Sequence, residues 1–399
     1  MALDPPVAPL AGRDVTSGEP VVIDVSGGRI AHVGPYTGAD SDRLPWIGPG
    51  LVDLQVNGFA GIDLNDGALD EDTLARLADA LLRAGVTGFL PTLITAAAPD
   101  IEARLRTIAA SLSADPVLNA AVPGIHLEGP FISPEDGPRG AHPADHVTPP
   151  DWELFEQWQM GAGGRIRIVT LSPEWQESVG FIARCCETGV IAAIGHTAAT
   201  TEQISAAIDA GATLSTHLGN GTHATLPRHP NYLWDQLAAD ELWASVIADG
   251  LHLPDAVLKT VLRVKGWRAI LVSDTVALAG MPPGEYASSI GTRVVLTDTG
   301  RLHLAADPRL LAGSALPLIA GVAHLAASGL AGLGEAWAMA STRPASLLDH
   351  PATAGLAPGA PADLVVFGWN GREIAIQQVV KAGREVVYHK PSGQPGAAR

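Results

Sequence analysis

Positive charge is scarce in this sequence. Its 399 residues contain 25 lysines and arginines against 42 aspartates and glutamates, which gives a formal net charge of -17. Nucleic acids and anionic lipid surfaces repel a chain of this charge, so we expect neither as a partner. An anionic small molecule would have to be bound by a local basic feature.

Cysteines and long apolar stretches are scarce as well. The two cysteines, Cys185 and Cys186, are adjacent, and a disulfide between them would be strained. The apolar runs are too short and too often interrupted by glycine to span a membrane. Residues 1–14 lack the basic and apolar regions of a secretory signal. These absences predict a cytoplasmic protein with no membrane attachment.

The apolar content is that of a large globular protein, with 47% hydrophobic and 17% charged residues. Short apolar runs alternate with helix-like stretches such as 70–84, 101–113, 201–210 and 256–265, a pattern typical of strand-helix units around a parallel sheet. The predicted strands are residues 51–56, 88–93, 121–127, 165–171, 190–194, 213–216, 243–248 and 269–272. Eight such units predict an α/β fold with a (β/α)8 TIM barrel.

The two ends of the chain have a different pattern. Residues 20–33 and 363–388 contain short alternating apolar stretches separated by glycine and turn residues, which predicts β-strands that could pair in one small sheet. We therefore predict a small β-sandwich domain built from both termini, residues 1–48 and 356–399. The barrel, residues 49–355, would be inserted between these segments.

Polar side chains follow several of the predicted barrel strands. Glu128, His196 and His217 stand where three of these strands end, and strand ends meet on one face of such a barrel. One carboxylate and two imidazoles suit Zn²⁺ or another first-row metal with a position left open for water. Each residue taken alone could equally be a buried, hydrogen-bonded structural side chain. Their shared position favours a metal site.

Asp274 follows the last predicted strand. A carboxylate beside a water activated by a metal can accept a proton and later return it to a leaving amine. The alternative is a structural role, because Asp274-Thr275 also suits the start of a helix.

Six short motifs are together highly specific, and they carry a resemblance that extends over nearly the whole chain. They are residues 126–131 (HLEGPF), 140–142 (GAH), 195–197 (GHT), 216–218 (THL), 248–252 (ADGLH) and 312–315 (AGSA). With these motifs, the sequence resembles the N-acetylglucosamine-6-phosphate deacetylases of the amidohydrolase superfamily. The resemblance implies a metal-dependent hydrolase on a TIM barrel.

The resemblance also implies roles for individual residues. Glu128, His196 and His217 match the family's metal ligands, and Asp274 matches its catalytic aspartate. The motif of Ala141 and His142 implies substrate contact at Ala141 and polarisation of the acetyl carbonyl by His142. His252 matches a histidine that contacts the sugar. From spacing alone, both of these histidines could instead be solvated loop residues.

The first predicted strand lacks the His-x-His pair that holds a second metal in many amidohydrolases. Gln55-Val56-Asn57 stands there instead, and neutral amides are poor zinc ligands. We therefore predict one divalent ion, with zinc as the first candidate and iron, cobalt or manganese as alternatives.

The loop after His217 departs from the family pattern, which usually reads Asn-Ala-Met where this chain has Asn220-Gly221-Thr222. Asn220 and the backbone at Gly221 could still hold an anionic group, because glycine allows close approach. Arg228 falls where the family places a phosphate-binding arginine donated by the neighbouring subunit. That match implies a phosphosugar and a homodimer, whereas its loop alone would also fit a surface arginine.

The predicted function is metal-dependent hydrolysis of the N-acetyl group of an amino-sugar phosphate, with N-acetylglucosamine 6-phosphate converted to glucosamine 6-phosphate and acetate. The altered loop keeps other N-acyl substrates open, namely N-acetylgalactosamine 6-phosphate, an unphosphorylated amino sugar or an N-acyl amino acid. A noncatalytic sugar-phosphate binder is a further alternative, although Asp274 beside all three ligands argues against it.

Overall fold

The computed structural model describes residues 7–67, 69–287 and 293–388. Its strands in chain order are β1 (Leu10–Asp14), β2 (Pro20–Ser26), β3 (Arg29–Pro35), β4 (Trp46–Pro49), β5 (Leu51–Val56), β6 (Gly58–Phe59), β7 (Ile62–Asp63), β8 (Val86–Ile94), β9 (Ile125–Glu128), β10 (Ile166–Leu171), β11 (Ile191–Ile194), β12 (Leu214–Ser215), β13 (Trp243–Val246), β14 (Ala269–Leu271), β15 (Gly284–Ala287), β16 (Arg293–Leu296), β17 (Leu302–Leu304), β18 (Leu364–Trp369), β19 (Ile374–Lys381) and β20 (Arg384–Tyr388). Its α-helices are α1 (Thr73–Arg83), α2 (Ala98–Ala114), α3 (Pro116–Ala121), α4 (Trp152–Gly161), α5 (Ser178–Glu187), α6 (Thr201–Asp209), α7 (Tyr232–Ala238), α8 (Asp255–Lys265), α9 (Leu318–Ala327), α10 (Leu333–Met339) and α11 (Thr342–Leu347).

Eight parallel strands form a nearly closed barrel in the order β14-β13-β12-β11-β10-β9-β8-β5. The two outermost strands meet through backbone contacts beyond β14, where Asp274 N donates to Gln55 O at 3.0 Å and Asn57 N donates to Thr275 O at 2.9 Å. The carboxyl end of β5 is thereby placed beside Asp274. The predicted TIM barrel is confirmed.

The barrel forms because its strands are mostly apolar and buried on both faces, and its helices are apolar on one face. All six residues of β5 are buried, as expected for a parallel strand covered on both faces. Helix α1 buries Leu74, Leu77, Ala78 and Leu81, whose spacing of three and four residues places them on one side. These side chains join the large buried cluster between the strands and the outer helices.

The terminal strands form one seven-stranded sheet, in the order β20-β19-β18-β4-β1-β2-β3. The N-terminal and C-terminal groups join where β4 pairs antiparallel with β18. The sheet curls back on itself, because Ala362 N donates to Gly28 O at 2.9 Å and Gly383 N donates to Ala362 O at 2.9 Å. A small β-unit from both termini is confirmed, while the exact domain borders remain a prediction.

One predicted strand begins too early in the sequence. Residues 121–127 were expected to be extended, but Ala121 ends helix α3 and β9 begins at Ile125. The side chain of Asp115 accepts hydrogen bonds from Val117 N and Leu118 N, which starts a helix at Pro116. Of the run predicted as a strand, Ala121 belongs to this helix, and residues 122–124 connect it to β9.

Within the described ranges, no helix is both long enough and apolar enough to cross a membrane.

Candidate active site

Three predicted metal ligands meet at the carboxyl ends of the barrel strands β9, β11 and β12. Glu128 is the last residue of β9, and His196 and His217 lie two residues beyond β11 and β12. The Nε2 atoms of His196 and His217 lie 3.1 and 2.9 Å from Glu128 Oε1, and 3.1 Å from each other. All three side chains are buried.

This triad has the donor set and spacing of a metal centre. Two ligand atoms about 2.0–2.2 Å from a tetrahedral ion lie roughly 3.3–3.5 Å apart, close to the separations found here. Among the described residues, one group of histidine, cysteine or carboxylate side chains lies close enough together to share an ion. It consists of Glu128, His196 and His217. The residues fit a divalent metal.

The ring of His196 is fixed by the backbone around it. Its Nδ1–H donates to Pro138 O at 2.8 Å, which leaves the lone pair on Nε2 free to bind a metal. A Cβ atom at Gly221 would lie 2.8 Å from His196 Nδ1, so only glycine allows this backbone to pack on the ring. Gly221 therefore helps to shape the metal site as well as the loop.

Three site residues have unusual backbone conformations. His196, His217 and Asp274 have φ angles of 49°, 29° and 50°, in the left-handed region that residues with a Cβ seldom adopt. Such conformations concentrate at functional sites, where the surrounding structure holds them. Here they occur in the turns that follow three barrel strands.

The triad is electrostatically coupled. Burial alone would raise the pKa of Glu128, but hydrogen bonds and charge from His196 and His217 outweigh it and hold the pKa well below its usual value. Burial opposes protonation of His217, yet the hydrogen bond and charge of Glu128 raise its pKa overall. The carboxylate is therefore ionised and available as a ligand.

Asp274 lies beside the triad, three residues beyond β14. Its Oδ1 accepts a hydrogen bond from Asn57 Nδ2 at 2.7 Å. Burial and the charge of Glu128 raise the pKa of Asp274 to about 6. No helix starts at Asp274 among the described residues, so the helix-capping alternative is wrong. The carboxyl group instead faces the polar centre of the barrel end.

Gln55 and Asn57 occupy the positions of the absent His-x-His pair and hold the carboxylates of the site. Gln55 Nε2 donates to Glu128 Oε1 at 2.9 Å, as Asn57 does to Asp274. The amides thus orient a ligand and a neighbouring carboxylate. These contacts were not predicted, although both residues were noted as amides at a strand end.

His142 and His252 are not solvated loop histidines. His142 is buried, with its ring centroid 4.5 Å from that of His196, and its Nδ1 lies 2.8 Å from Thr95 Oγ1. Burial, followed by the neighbouring His196, lowers the pKa of His142 to about 3. His252 Nδ1 donates to Asp249 Oδ2 at 2.7 Å. Each imidazole is therefore oriented by one polar partner.

Only some of the residues predicted to bind substrate lie beside the triad. Asn220 and Gly221 line a small cleft together with His196, and Asn220 Nδ2 donates to the carbonyl of His217. Ala141 and Arg228 are exposed. The structure therefore brings Asn220 and Gly221 to the triad and leaves Arg228 on the surface of this chain.

Thr95 and Asp249 contact site histidines and were not singled out from the sequence. Thr95 directly follows β8, so the strand-end signal that marked the metal ligands also applied to it. Asp249 stands three residues before His252 in a motif already noted. The sequence does not indicate which side chain such a hydroxyl or carboxylate contacts, because the partner lies far away in the chain or across a turn.

The amidohydrolase family model matches residues 46–386 of this chain. The chain is 30% identical over 380 residues to the N-acetylglucosamine-6-phosphate deacetylase of Lysinibacillus sphaericus, covering 94% of each protein. It is 32% identical over 359 residues to the N-acetylgalactosamine-6-phosphate deacetylase of Escherichia coli O157:H7, covering 88% of this chain and 92% of that protein.

The chain is also similar to a solved structure of such a deacetylase. The chain superposes on the D-to-A mutant of the Mycobacterium smegmatis N-acetyl-D-glucosamine-6-phosphate deacetylase, solved in complex with N-acetyl-D-glucosamine-6-phosphate, with a TM-score of 0.82 and 28% identity. The match covers 96% of this chain and 100% of that one. Together with the site geometry, these matches show that the chain belongs to the amidohydrolase family and, within it, to the N-acetylglucosamine-6-phosphate deacetylase family.

Proposed function

We propose that this protein hydrolyses the N-acetyl group of N-acetylglucosamine 6-phosphate, giving glucosamine 6-phosphate and acetate. The observation that carries the proposal is the buried cluster of Glu128, His196 and His217 with Asp274 beside it. The near full-length likeness to a deacetylase of this sugar phosphate supports the choice of substrate.

Glu128, His196 and His217 would hold one divalent ion. An ion in this position lowers the pKa of a water molecule and polarises the acetyl carbonyl. Asp274, ionised above its raised pKa, takes a proton from the attacking water and is held in place for this by Asn57. Asp274 then returns the proton to the amine nitrogen as the carbon-nitrogen bond breaks.

His142 acts on the acetyl oxygen. As a buried, neutral imidazole it donates a hydrogen bond to the negative charge that develops there. His252, held by Asp249, contacts the sugar. Asn220 and Gly221 bind the polar groups of the substrate from the cleft beside His196.

The phosphate requires a cation that the cleft itself does not provide. Arg228 is exposed on this chain, which is consistent with donation across a dimer to the site of the neighbouring subunit. A planar guanidinium can bind two phosphate oxygens at once. We therefore propose a homodimer in which Arg228 of each subunit contacts the phosphate in the other.

We further propose a single ion per site, because amides occupy the positions that would hold a second one. Zinc is the first candidate for a site of two imidazoles and one carboxylate, and iron, cobalt or manganese are the alternatives. A cytoplasmic location is proposed from the two adjacent cysteines, which are unpaired and of which Cys185 is buried.

Acetate release from a panel of N-acetylated compounds tests this function. The panel contains N-acetylglucosamine 6-phosphate, N-acetylgalactosamine 6-phosphate, N-acetylglucosamine and an N-acetylated amino acid, each with zinc-loaded protein. We expect the highest kcat/KM for the first. The galactosamine compound is the second candidate, because one relative is named for it. Preference for the amino acid, or binding of sugar phosphates without acetate release, would contradict the proposal.

Replacing Arg228 tests the phosphate contact. Arg228→Ala should raise KM for N-acetylglucosamine 6-phosphate about 10- to 100-fold, because a charge-assisted hydrogen bond to phosphate is lost. KM for the unphosphorylated sugar should change little. Arg106→Ala, an exposed arginine paired with Glu102 on the outer helix α2, is the matched control. Equal effects of Arg228→Ala on both sugars would contradict a contact between Arg228 and the phosphate.

A further inference from the structure

The hydroxyl of Thr95 makes one buried hydrogen bond, and its partner is His142. Thr95 Oγ1 lies 2.8 Å from His142 Nδ1, and Thr95 and His142 are only 1% and 6% exposed. Across the three described ranges, the Thr95 hydroxyl has no other hydrogen bond, and His142 Nε2 has none either. Nδ1 is therefore engaged by the protein, while Nε2 is available to a ligand.

The surrounding chain makes room for this contact. A Cβ atom at Gly129 would lie 2.2 Å from Thr95 Oγ1, and Gly129 has a φ angle of 84°. Only glycine satisfies both the space and the backbone conformation. The hydroxyl occupies the volume that a side chain at position 129 would fill, so the glycine turn after Glu128 leaves room for it.

The number of available protons decides which group donates in the hydrogen bond between Thr95 and His142. A hydroxyl has one proton to donate, and a buried donor without an acceptor is costly. If His142 Nδ1 carried a proton, it would donate to Thr95, and the hydroxyl proton would have no acceptor among the described residues. If Thr95 donates to an unprotonated Nδ1, the pair is satisfied.

We propose that Thr95 is a positioning residue that keeps Nδ1 of His142 unprotonated and so places the imidazole proton on Nε2. Nε2–H is then the donor that meets the acetyl oxygen of the substrate. This part of the inference rests on the proposed deacetylase function. Thr95 contacts no reacting atom and acts through His142.

Two substitutions at one position separate the hydroxyl from the shape of the side chain. Thr95→Val keeps the branched shape and removes the hydroxyl, whereas Thr95→Ser keeps the hydroxyl. We expect Thr95→Val to lower kcat about tenfold, the effect of one lost hydrogen bond, with little change in KM. Thr95→Ser should stay within about threefold of the wild type. Metal content should match the wild type in both, and the melting temperature of Thr95→Val should fall by no more than a few degrees.

Nitrogen-15 NMR of labelled histidine provides a readout that does not depend on activity. With the signal assigned by its loss in His142→Gln, zinc-loaded wild type and Thr95→Ser should show the Nε2–H form of His142. Thr95→Val should show a mixture of the two neutral forms. An Nδ1–H or doubly protonated ring in the wild type would overturn the inference, as would wild-type kcat in Thr95→Val.

The two proposals fail separately in this experiment. A wild-type protein that shows the Nε2–H form but deacetylates no amino-sugar phosphate supports the role of Thr95 in placing the proton and overturns the proposed function. An active wild type with the Nδ1–H form supports the function and overturns the role of Thr95.

Discussion

Asp274→Asn is expected to abolish turnover while leaving the metal bound. An amide cannot take a proton from water or return one to the amine, and loss of general acid-base catalysis costs about 10²- to 10⁴-fold in rate. The fold should survive, because the Oδ1 of an asparagine can still accept the hydrogen bond from Asn57. Steady-state kinetics and metal analysis on the same preparation measure both effects.

The pH dependence of the wild-type rate provides a second test of Asp274 as the general base. Burial raises the pKa of this carboxyl group to about 6, and the ionised form needed as a base is present above that value. The rate should therefore fall as the pH drops through this pKa. A bound cation opposes the effect of burial and moves the fall to lower pH. Asp255→Asn, which removes an exposed carboxylate paired with His324, is the matched control for Asp274→Asn. Near-normal turnover in Asp274→Asn would contradict its assigned role.

Glu128→Gln is expected to remove the metal together with the activity. The change keeps the shape of the side chain, but it replaces the only anionic ligand of the triad with a neutral amide, which binds zinc poorly. Loss of a ligand should lower the metal content of the dialysed protein well below one ion per chain. Without the ion, turnover should fall at least 10³-fold, since both activation of water and polarisation of the carbonyl are lost.

Thermal unfolding tests the same substitution without any substrate. Because zinc binds the folded site and not the unfolded chain, it should raise the melting temperature of the wild type. It should have little effect on the melting temperature of Glu128→Gln. Glu102→Gln, an exposed glutamate paired with Arg106 on α2, should respond to zinc like the wild type. A full complement of tightly bound metal in Glu128→Gln would contradict the proposed ligand set.

The sequence was most informative where one physical rule covers many residues. Parallel strands of a barrel are buried on both faces and mostly apolar, so all eight strands could be predicted from short apolar runs such as that of β5, although one was begun too early. Because the ends of these strands meet on one face, Glu128, His196 and His217 could be grouped although up to 89 residues separate them.

Contacts between neighbouring side chains were harder to predict, because they depend on distances that no pattern encodes. The amides of Gln55 and Asn57 were identified as poor metal ligands, but their hydrogen bonds to Glu128 and Asp274 were not foreseen. The predicted strand at 121–127 begins too early because Asp115 and Pro116 start a helix that continues to Ala121.

The most direct test of the central claim is anomalous X-ray diffraction from crystals of this protein grown with zinc. We expect one anomalous peak per active site, about 2.0–2.2 Å from the carboxylate of Glu128 and from Nε2 of His196 and His217. An ion located elsewhere in an active protein, or a second peak of equal height beside Gln55 and Asn57, would contradict a single-ion site on these three ligands.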